Sequence, residues 1–224
     1  MEAGTLYGVG VGPGDPELMT LKAVKTALSC DLIAVPHRDA AKCTALKIAL
    51  GAAPALGEKP LLTVDMPMTK DAAVLEESYR RGAALLEAEL ARGKNVCFLT
   101  LGDPTVYSTY LYLHQHVTAH GYPGVIIPGV PSFCAAAAAL GISLCENDQQ
   151  LHIIPGTYTP TQALNLPGVK VMMKNNLPAT LKALRQMGAS AARVENCGMK
   201  TQRIYRTLEE IPEESGYFSL LIVK

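Results

Sequence analysis

Short apolar runs recur along the chain, and segments with helical periodicity separate most of the early ones. The runs cover residues 6–11, 31–35, 95–101, 125–127, 152–154, 169–173, 193–196 and 217–223. Continuous apolar runs that alternate with helices are typical of strands that are buried on both faces of a sheet. The pattern therefore predicts an α/β protein.

The clearest predicted helix spans residues 71–91. Its apolar residues share one broad face: Val74, Leu75, Tyr79, Leu85, Leu86 and Leu90. Two ion pairs between residues four apart are predicted on its outer face, Glu76 with Arg80 and Glu77 with Arg81.

Turn-forming residues are dense in HGYPGVIIPG, residues 120–129. After this stretch the pattern changes towards more strands and shorter helices. Such a change is expected where one folded unit ends and another begins. We therefore predict two α/β domains, one over residues 1–119 and one over residues 120–224.

Composition limits the classes of function. Hydrophobic residues make up 49% and charged residues 18% of the chain, and 20 Lys and Arg balance 20 Asp and Glu. The absence of a basic excess argues against a general nucleic-acid or membrane-surface binder. No apolar stretch reaches the roughly 18 to 20 residues of a membrane helix, and the N-terminus lacks a signal pattern, so we expect a cytoplasmic protein.

The cysteines and histidines do not indicate a metal site. The six cysteines form no C-x-x-C pair, and several lie inside apolar runs, which is typical of reduced core residues. His116 and His120 are four residues apart on a predicted helix, but no third ligand of matching character accompanies them.

The opening stretch LYGVGVGPGDPELMTLKA, residues 6–23, places four glycines between an apolar run and a helical pattern. A dinucleotide fingerprint needs Gly-x-Gly-x-x-Gly, but the third position is Pro13 when counted from Gly8 and Asp15 when counted from Gly10. This spacing counts against a nicotinamide oxidoreductase, which remains the alternative from another enzyme class. The chain also lacks the Gly-Lys-Ser/Thr of a phosphate-binding P-loop.

Instead, the opening loop carries Pro13, whose φ is fixed, and Asp15-Pro16, which is typical of a helix N-cap and first turn. It forms a rigid ledge at the carboxyl end of a strand, where ligands bind in open α/β sheets. Two interpretations stay open at this point, a ligand-binding loop and a tight turn without a ligand.

Two later loops have a similar composition. FLTLGDPTVYSTY runs from an apolar strand through Gly102-Asp103-Pro104 into a predicted helix that carries Tyr107 and Tyr110. IIPGVPSFCAAAAALG passes through Pro128-Gly129 into a helix of small residues. Small residues allow close approach of a flat ligand or of another backbone, so ligand binding and close helix packing are both consistent with the third loop.

Together these segments resemble the tetrapyrrole methylase family, whose members transfer a methyl group from S-adenosylmethionine to a carbon of a corrin or sirohaem precursor. The resemblance rests on six segments in order: GVGPGDPELMTLKA, LGDPTVYSTY, IPGVPSF, VMMK, VENCGMKTQRIY and YFSLLIVK. VDMPMTKD and GDPTVYSTYLYL are most similar to the members that methylate C20 of precorrin-2 or its cobalt-containing counterpart in cobalamin synthesis. Another C-methyltransferase of the corrin pathway and a non-catalytic tetrapyrrole carrier are the alternatives.

The resemblance implies two unlike α/β domains with the cofactor in a cleft between them, and a homodimer. Carried over by position, its S-adenosylmethionine contacts fall on Pro13, Leu101, Gly102, Asp103, Val106, Ser132, Phe133, Met173 and Cys197. Two positions depart from the family pattern, because many relatives have Thr or Ser at Pro131 and several have Gly at Cys197. Only backbone interactions are expected to persist at those two positions.

A tetrapyrrole substrate carries many carboxylates, which Arg and Lys would receive. Predicted substrate contacts are Gly12, Gly14, Asp15, Arg38, Lys70 and Arg203, with Lys42 and Lys174 as further basic candidates. For each basic residue an ordinary solvated charge is the alternative. Asp15, His37, Asp103 and Tyr107 are the candidates for a base, and Asp103 is also a candidate cap of the helix that follows it.

Overall fold

The computed structural model describes residues 2–173, 176–214 and 216–224, and the chain forms two compact units, Met1–Pro131 and Ser132–Lys224. Each unit contains a five-stranded sheet with helices, which confirms the α/β class. The division lies later than the predicted boundary at residue 120. The reason is that Gly124–Ile127 forms a strand of the first sheet.

All strand pairs in the first sheet are parallel. Its strands are β1 (Leu6–Gly10), β2 (Leu32–Val35), β3 (Leu61–Thr63), β4 (Val96–Thr100) and β5 (Gly124–Ile127), in the spatial order β3-β2-β4-β1-β5. The helices of this unit are α1 (Leu21–Ser29), α2 (Thr44–Ala52), α3 (Ala72–Leu90) and α4 (Tyr110–Ala119). Three short 3₁₀ helices cover Pro16–Leu18, Ala40–Lys42 and Pro54–Glu58.

Alternate residues of β2 show that the first sheet is buried on both faces. Ile33 and Val35 belong to the apolar cluster under α1 and α2, whereas Leu32 and Ala34 belong to the cluster under α3 and α4. Full burial of a large apolar side chain contributes about 1.5 to 3 kcal/mol. Burial on both faces explains why these strands appear in the sequence as unbroken apolar runs.

The helix predicted over residues 71–91 is confirmed as α3, but only part of its predicted apolar face is buried. Tyr79, Leu86 and Leu90 are buried, whereas Val74 and Leu85 are each 46% exposed. The structure contains the Glu77–Arg81 pair at 3.8 Å.

The predicted Glu76–Arg80 pair was wrong. Arg80 binds Glu77 at 2.8 Å, and Glu76 faces His116 at 3.3 Å because α4 packs against α3. Within the described chain, no helix combines the length and the apolar character needed to cross a membrane.

The second sheet has mixed pairing. Its strands are β6 (Leu151–Ile154), β7 (Val169–Met173), β8 (Ala191–Glu195), β9 (Arg203–Tyr205) and β10 (Ser219–Val223), in the order β6-β7-β10-β8-β9. β6 and β7 are parallel, and the other pairs are antiparallel. The helices of this unit are α5 (Ser132–Leu140), α6 (Pro160–Leu164) and α7 (Leu177–Met187). The two sheets therefore differ in topology, as the prediction of two unlike α/β domains requires.

Candidate functional site

The three glycine-containing loops leave adjacent strands of the first sheet. We call residues 11–15 the first loop, residues 101–109 the second loop and residues 128–131 the third loop; they follow β1, β4 and β5. The chain continues from β1 to α1 on one face of the sheet and from β4 to α4 on the other face. Ligands of open parallel sheets bind outside the carboxyl ends of the strands where connections diverge in this way. The three loops therefore surround the expected ligand position of this unit.

Backbone hydrogen bonds join the first loop to the second. The Gly12 N–H donates to the Gly102 carbonyl at 3.2 Å, and the Gly102 N–H donates to the Gly12 carbonyl at 2.8 Å. Both residues have positive φ, 78° and 71°, which glycine adopts without steric cost. A Cβ built on Gly102 would have no heavy atom within 4 Å, so the space beside this residue is open to a ligand.

Three glycines meet where these loops converge, and we call Gly10, Gly102 and Gly129 the glycine crossing. A Cβ on Gly10 would lie 2.6 Å from the Gly102 carbonyl oxygen, and a Cβ on Gly129 would lie 2.1 Å from the same oxygen. Neither position can hold a side chain without displacing backbone. Gly10 and Gly129 could not be identified as site-shaping residues from the sequence, because their closeness depends on the strand order.

Asp103 connects the second loop to the third. It is 8% exposed, and its Oδ1 accepts hydrogen bonds from the Thr105 hydroxyl and, at 2.7 Å, from the Thr105 N–H. Its Oδ2 accepts from the Gly129 N–H at 2.9 Å. Burial raises the pKa of Asp103, but the hydrogen bonds from Thr105 and Gly129 outweigh it and place the pKa below the ordinary 3.8. Asp103 is therefore ionised at neutral pH.

Asp103 does not cap the helix that follows it. Helix α4 begins at Tyr110 and has Thr109 at its N-cap position. Tyr107, which was predicted on the helix, precedes it with a φ of 47° and is 60% exposed. Asp103 thus links the second and third loops and is not the cap of α4.

The predicted cap at Asp15 is confirmed. Its side chain accepts from the Glu17 N–H at 2.9 Å, and Pro16 is the first residue of the short 3₁₀ helix. Gly12, Pro13 and Gly14 are buried, whereas Asp15 is half-buried. On the second loop, Leu101 and Val106 are half-buried.

Two predicted basic residues lie at the same edge of the first sheet, because Arg38 follows β2 and Lys70 follows β3. Both are exposed, and the Arg38 Nε lies 3.7 Å from Asp65 Oδ1. Lys42 lies 3.7 Å from Asp39. Exposed pairs of this kind contribute little to folding stability, so these cations stay accessible to an anionic ligand.

His37, a predicted candidate base, also follows β2. Its Nδ1 accepts from the Asp39 N–H at 2.9 Å, which ties the ring to its own loop. His116 and His120 face Glu76 and Glu87 on α3. Among the residues that the structure describes, no three His, Cys, Asp or Glu side chains are grouped to hold a metal ion.

The remaining predicted cofactor contacts lie in the second unit. Ser132 and Phe133 begin α5, Met173 ends β7, and Cys197 follows β8. β7 and β8 run in the same direction on either side of β10, so Met173 and Cys197 lie at one edge of the second sheet. Cys197 is buried, and burial raises the pKa of its thiol, which keeps it neutral.

The remaining predicted basic contacts differ in setting. Arg203 is exposed on β9, at the end of the second sheet. Lys174, with part of the VMMK segment, lies outside the described residues.

A model of the tetrapyrrole (corrin/porphyrin) methylases matches residues 5–212. The chain belongs to this family. It is 33% identical to the precorrin-2 C(20)-methyltransferase of a Sinorhizobium species over 98% of this chain and 95% of that protein. It is 34% identical to the cobalt-precorrin-2 C(20)-methyltransferase of Salmonella typhimurium over 98% of this chain and 96% of that protein. The resemblance that the six segments indicated is thus confirmed, and methyl transfer is favoured over nicotinamide chemistry.

The fold also matches a solved structure. The crystal structure of uroporphyrin-III-C-methyltransferase from Thermus thermophilus superposes with a TM-score of 0.69 at 23% identity, covering 98% of this chain and 94% of that chain. At this level of identity the likeness concerns the fold alone.

Proposed function

We propose that this protein methylates C20 of precorrin-2, or of its cobalt-containing counterpart, with S-adenosylmethionine as methyl donor in cobalamin biosynthesis. The observation that carries the proposal is the nearly full-length similarity to two methyltransferases named for this position.

The residues at the carboxyl edge of the first sheet fit the cofactor. S-adenosylmethionine supplies an electrophilic methyl group on its sulfonium. The open space beside Gly102 allows a ligand to reach main-chain groups, and the half-buried Leu101 and Val106 offer apolar contact next to it. Pro13, Leu101, Gly102 and Val106 would hold the cofactor in this unit. Contacts by Ser132, Phe133, Met173 and Cys197 stay predictions.

The substrate would be received by exposed cations of the same edge. Arg38 and Lys70 are suited to the carboxylates of a tetrapyrrole, and Arg203 is proposed for the second unit. In the first loop, Gly12, Gly14 and Asp15 are proposed on the substrate side. Holding the acceptor carbon in line with the transferable methyl group supplies much of the catalysis, so no covalent nucleophile is required.

A base would remove the proton from the methylated carbon. Both carboxylate oxygens of Asp103 are engaged by hydrogen bonds from Thr105 and Gly129, which makes this side chain a poor candidate. Among Asp15, Asp103 and Tyr107, we therefore favour Asp15, the half-buried carboxylate of the first loop, for this role.

The proposed activity is tested with both substrates under anaerobic conditions. We expect the product to gain one methyl group, which a ¹³C-labelled donor and NMR would assign to C20. Titration calorimetry should detect binding of S-adenosylhomocysteine and no binding of NADH. Inactivity with both tetrapyrroles, or binding of NADH alone, would overturn the proposal. Light scattering tests the proposed homodimer.

Gly102→Leu tests the cofactor position. The new side chain would fill the open space, so we expect loss of measurable S-adenosylhomocysteine binding. Because φ is positive at position 102, leucine there should also lower the free energy of unfolding by about 1 to 2 kcal/mol. Gly141→Leu is the matched control, because Gly141 has a φ of 70° and equally open surroundings in the second unit. Normal binding by Gly102→Leu would contradict the assignment.

A further inference from the structure

We propose that Asp103 and Thr105 are positioning residues that hold the third loop in the shape required by the cofactor site. They act through the Gly129 backbone. This inference rests on the proposed function and adds a positioning role to the cofactor contact that family resemblance implies for Asp103.

The third loop has few ways of being anchored by its own backbone. Pro128 and Pro131 have no N–H, so Gly129 and Val130 are the only residues of residues 128–131 that can donate a main-chain hydrogen bond. The Gly129 N–H is donated to Asp103, which lies 26 residues earlier in the chain. One of the two main-chain donors of this loop thus depends on a single carboxylate.

Gly129 is also held from a second direction. Its Cα packs against the Gly102 carbonyl so closely that a Cβ would lie 2.1 Å from that oxygen. The Asp103 bond and this backbone contact together confine Gly129 against the second loop. A change in the carboxylate would release one of these two restraints and move the wall of the site.

Thr105 orients the carboxylate. Its hydroxyl and N–H both bind Asp103 Oδ1, which leaves Oδ2 directed at Gly129. Hydrogen bonds to an ionised acceptor are stronger than those between neutral groups. Thr105 is itself exposed, so its hydroxyl can be removed with little effect on the core.

Four variants test this arrangement by titration with S-adenosylhomocysteine and by steady-state kinetics. Asp103→Asn has one acceptor oxygen where Asp has two, so either the Gly129 N–H or the Thr105 N–H loses its acceptor, and binding should weaken about tenfold or more. Thr105→Val removes only the hydroxyl and should weaken binding about three- to tenfold, whereas Thr105→Ser keeps it and should bind as the wild type does. Asp71→Asn is the control, since Asn replaces Asp well at the N-cap of α3. In Asp103→Asn and Thr105→Val, the KM for S-adenosylmethionine should rise more than kcat falls.

The hydrogen-exchange rate of the Gly129 amide tests the same restraint without any cofactor present. We expect slow exchange in the wild type and faster exchange in Asp103→Asn and Thr105→Val. If the wild type fails to bind S-adenosylhomocysteine, the proposed function fails, while the exchange data still test the restraint on the loop.

Two results would overturn the inference. The first is a fall in kcat of Asp103→Asn with unchanged KM and unchanged S-adenosylhomocysteine affinity, which would make Asp103 a direct participant. The second is equal binding and equal Gly129 exchange in Thr105→Val and Thr105→Ser. Because Thr105 is exposed, the second comparison holds even where Asp103→Asn does not fold.

Discussion

The tripeptide Gly-Asp-Pro occurs twice at the carboxyl edge of the first sheet, at residues 14–16 and 102–104, and its two aspartates have different roles. Asp15 is half-buried and binds the N–H of a residue two positions later. Asp103 is 8% exposed; it also binds the N–H of a residue two positions later, Thr105, and in addition it binds the N–H of Gly129, 26 positions later. β4 and β5 flank β1, so the second and third loops meet over its last residue, Gly10. The strand order therefore decides what the same three residues do.

The largest expected effect on folding stability is at the contact between Gly102 of the second Gly-Asp-Pro loop and Gly129, which has no counterpart in the first loop. Gly129→Ala would place a Cβ 2.1 Å from the Gly102 carbonyl oxygen, and we expect a loss of about 3 kcal/mol in the free energy of unfolding. Gly57→Ala is the control, because its Cβ would lie 3.5 Å from Leu50, an ordinary contact. Equal urea midpoints for the two variants would show that the glycine crossing is less constrained than described.

Parallel amide substitutions compare the two aspartates directly. Asp103→Asn should lower the free energy of unfolding by about 1 to 3 kcal/mol, because either the half-buried Gly129 N–H or the Thr105 N–H loses its acceptor. Asp15→Asn should change it by less than about 0.5 kcal/mol, since Asn and Asp are similar N-caps. Chemical denaturation of both variants measures the difference, and similar losses would remove the distinction between the two loops.

Acid should reduce the contribution of Asp103 to the free energy of unfolding. The pKa of its folded form lies below the ordinary 3.8, so its stabilisation is present above that pH and is lost as the pH falls through the folded pKa. The difference in stability between the wild type and Asp103→Asn should therefore shrink below pH 3.8. A difference that stays constant in urea titrations on both sides of this pH would contradict the assigned ionisation.

The smallest expected effect on folding is at the first loop. Asp15→Ala removes a local cap from a short 3₁₀ helix and should cost about 0.5 to 1 kcal/mol. If Asp15 faces the substrate, kcat/KM for the tetrapyrrole should fall as well. Unchanged kcat/KM would reduce Asp15 to a cap.

The hydrophobic pattern predicted most strands because the central ones are buried on both faces. β3 and β9 were not predicted, since each has only three residues and lies at the end of a sheet with exposed side chains. Such short segments lack the continuous apolar run on which the prediction depended. The Glu76–Arg80 pair failed for a related reason, because α4 supplies a closer partner that the local sequence of α3 does not contain.

The sequence predicted the three loops of the candidate site but not the contacts that they make with one another. Turn residues after apolar strands identified all three loops, and the cap at Asp15 could be read from two adjacent residues. The meeting of Gly10, Gly102 and Gly129 requires β1 to lie between β4 and β5, which no local pattern reveals. The bond from Asp103 to Gly129 follows from the same arrangement.

The glycine crossing also bears on how parts of such methylases can be exchanged. A chimera that imports only one of the three loops would bring its own backbone path to a junction fitted to within van der Waals contact, with no side chain to adjust. The smallest transferable module is therefore all three loops together with Gly10. Libraries that aim at a new methyl acceptor would leave these positions fixed and vary the exposed basic positions 38 and 70 instead.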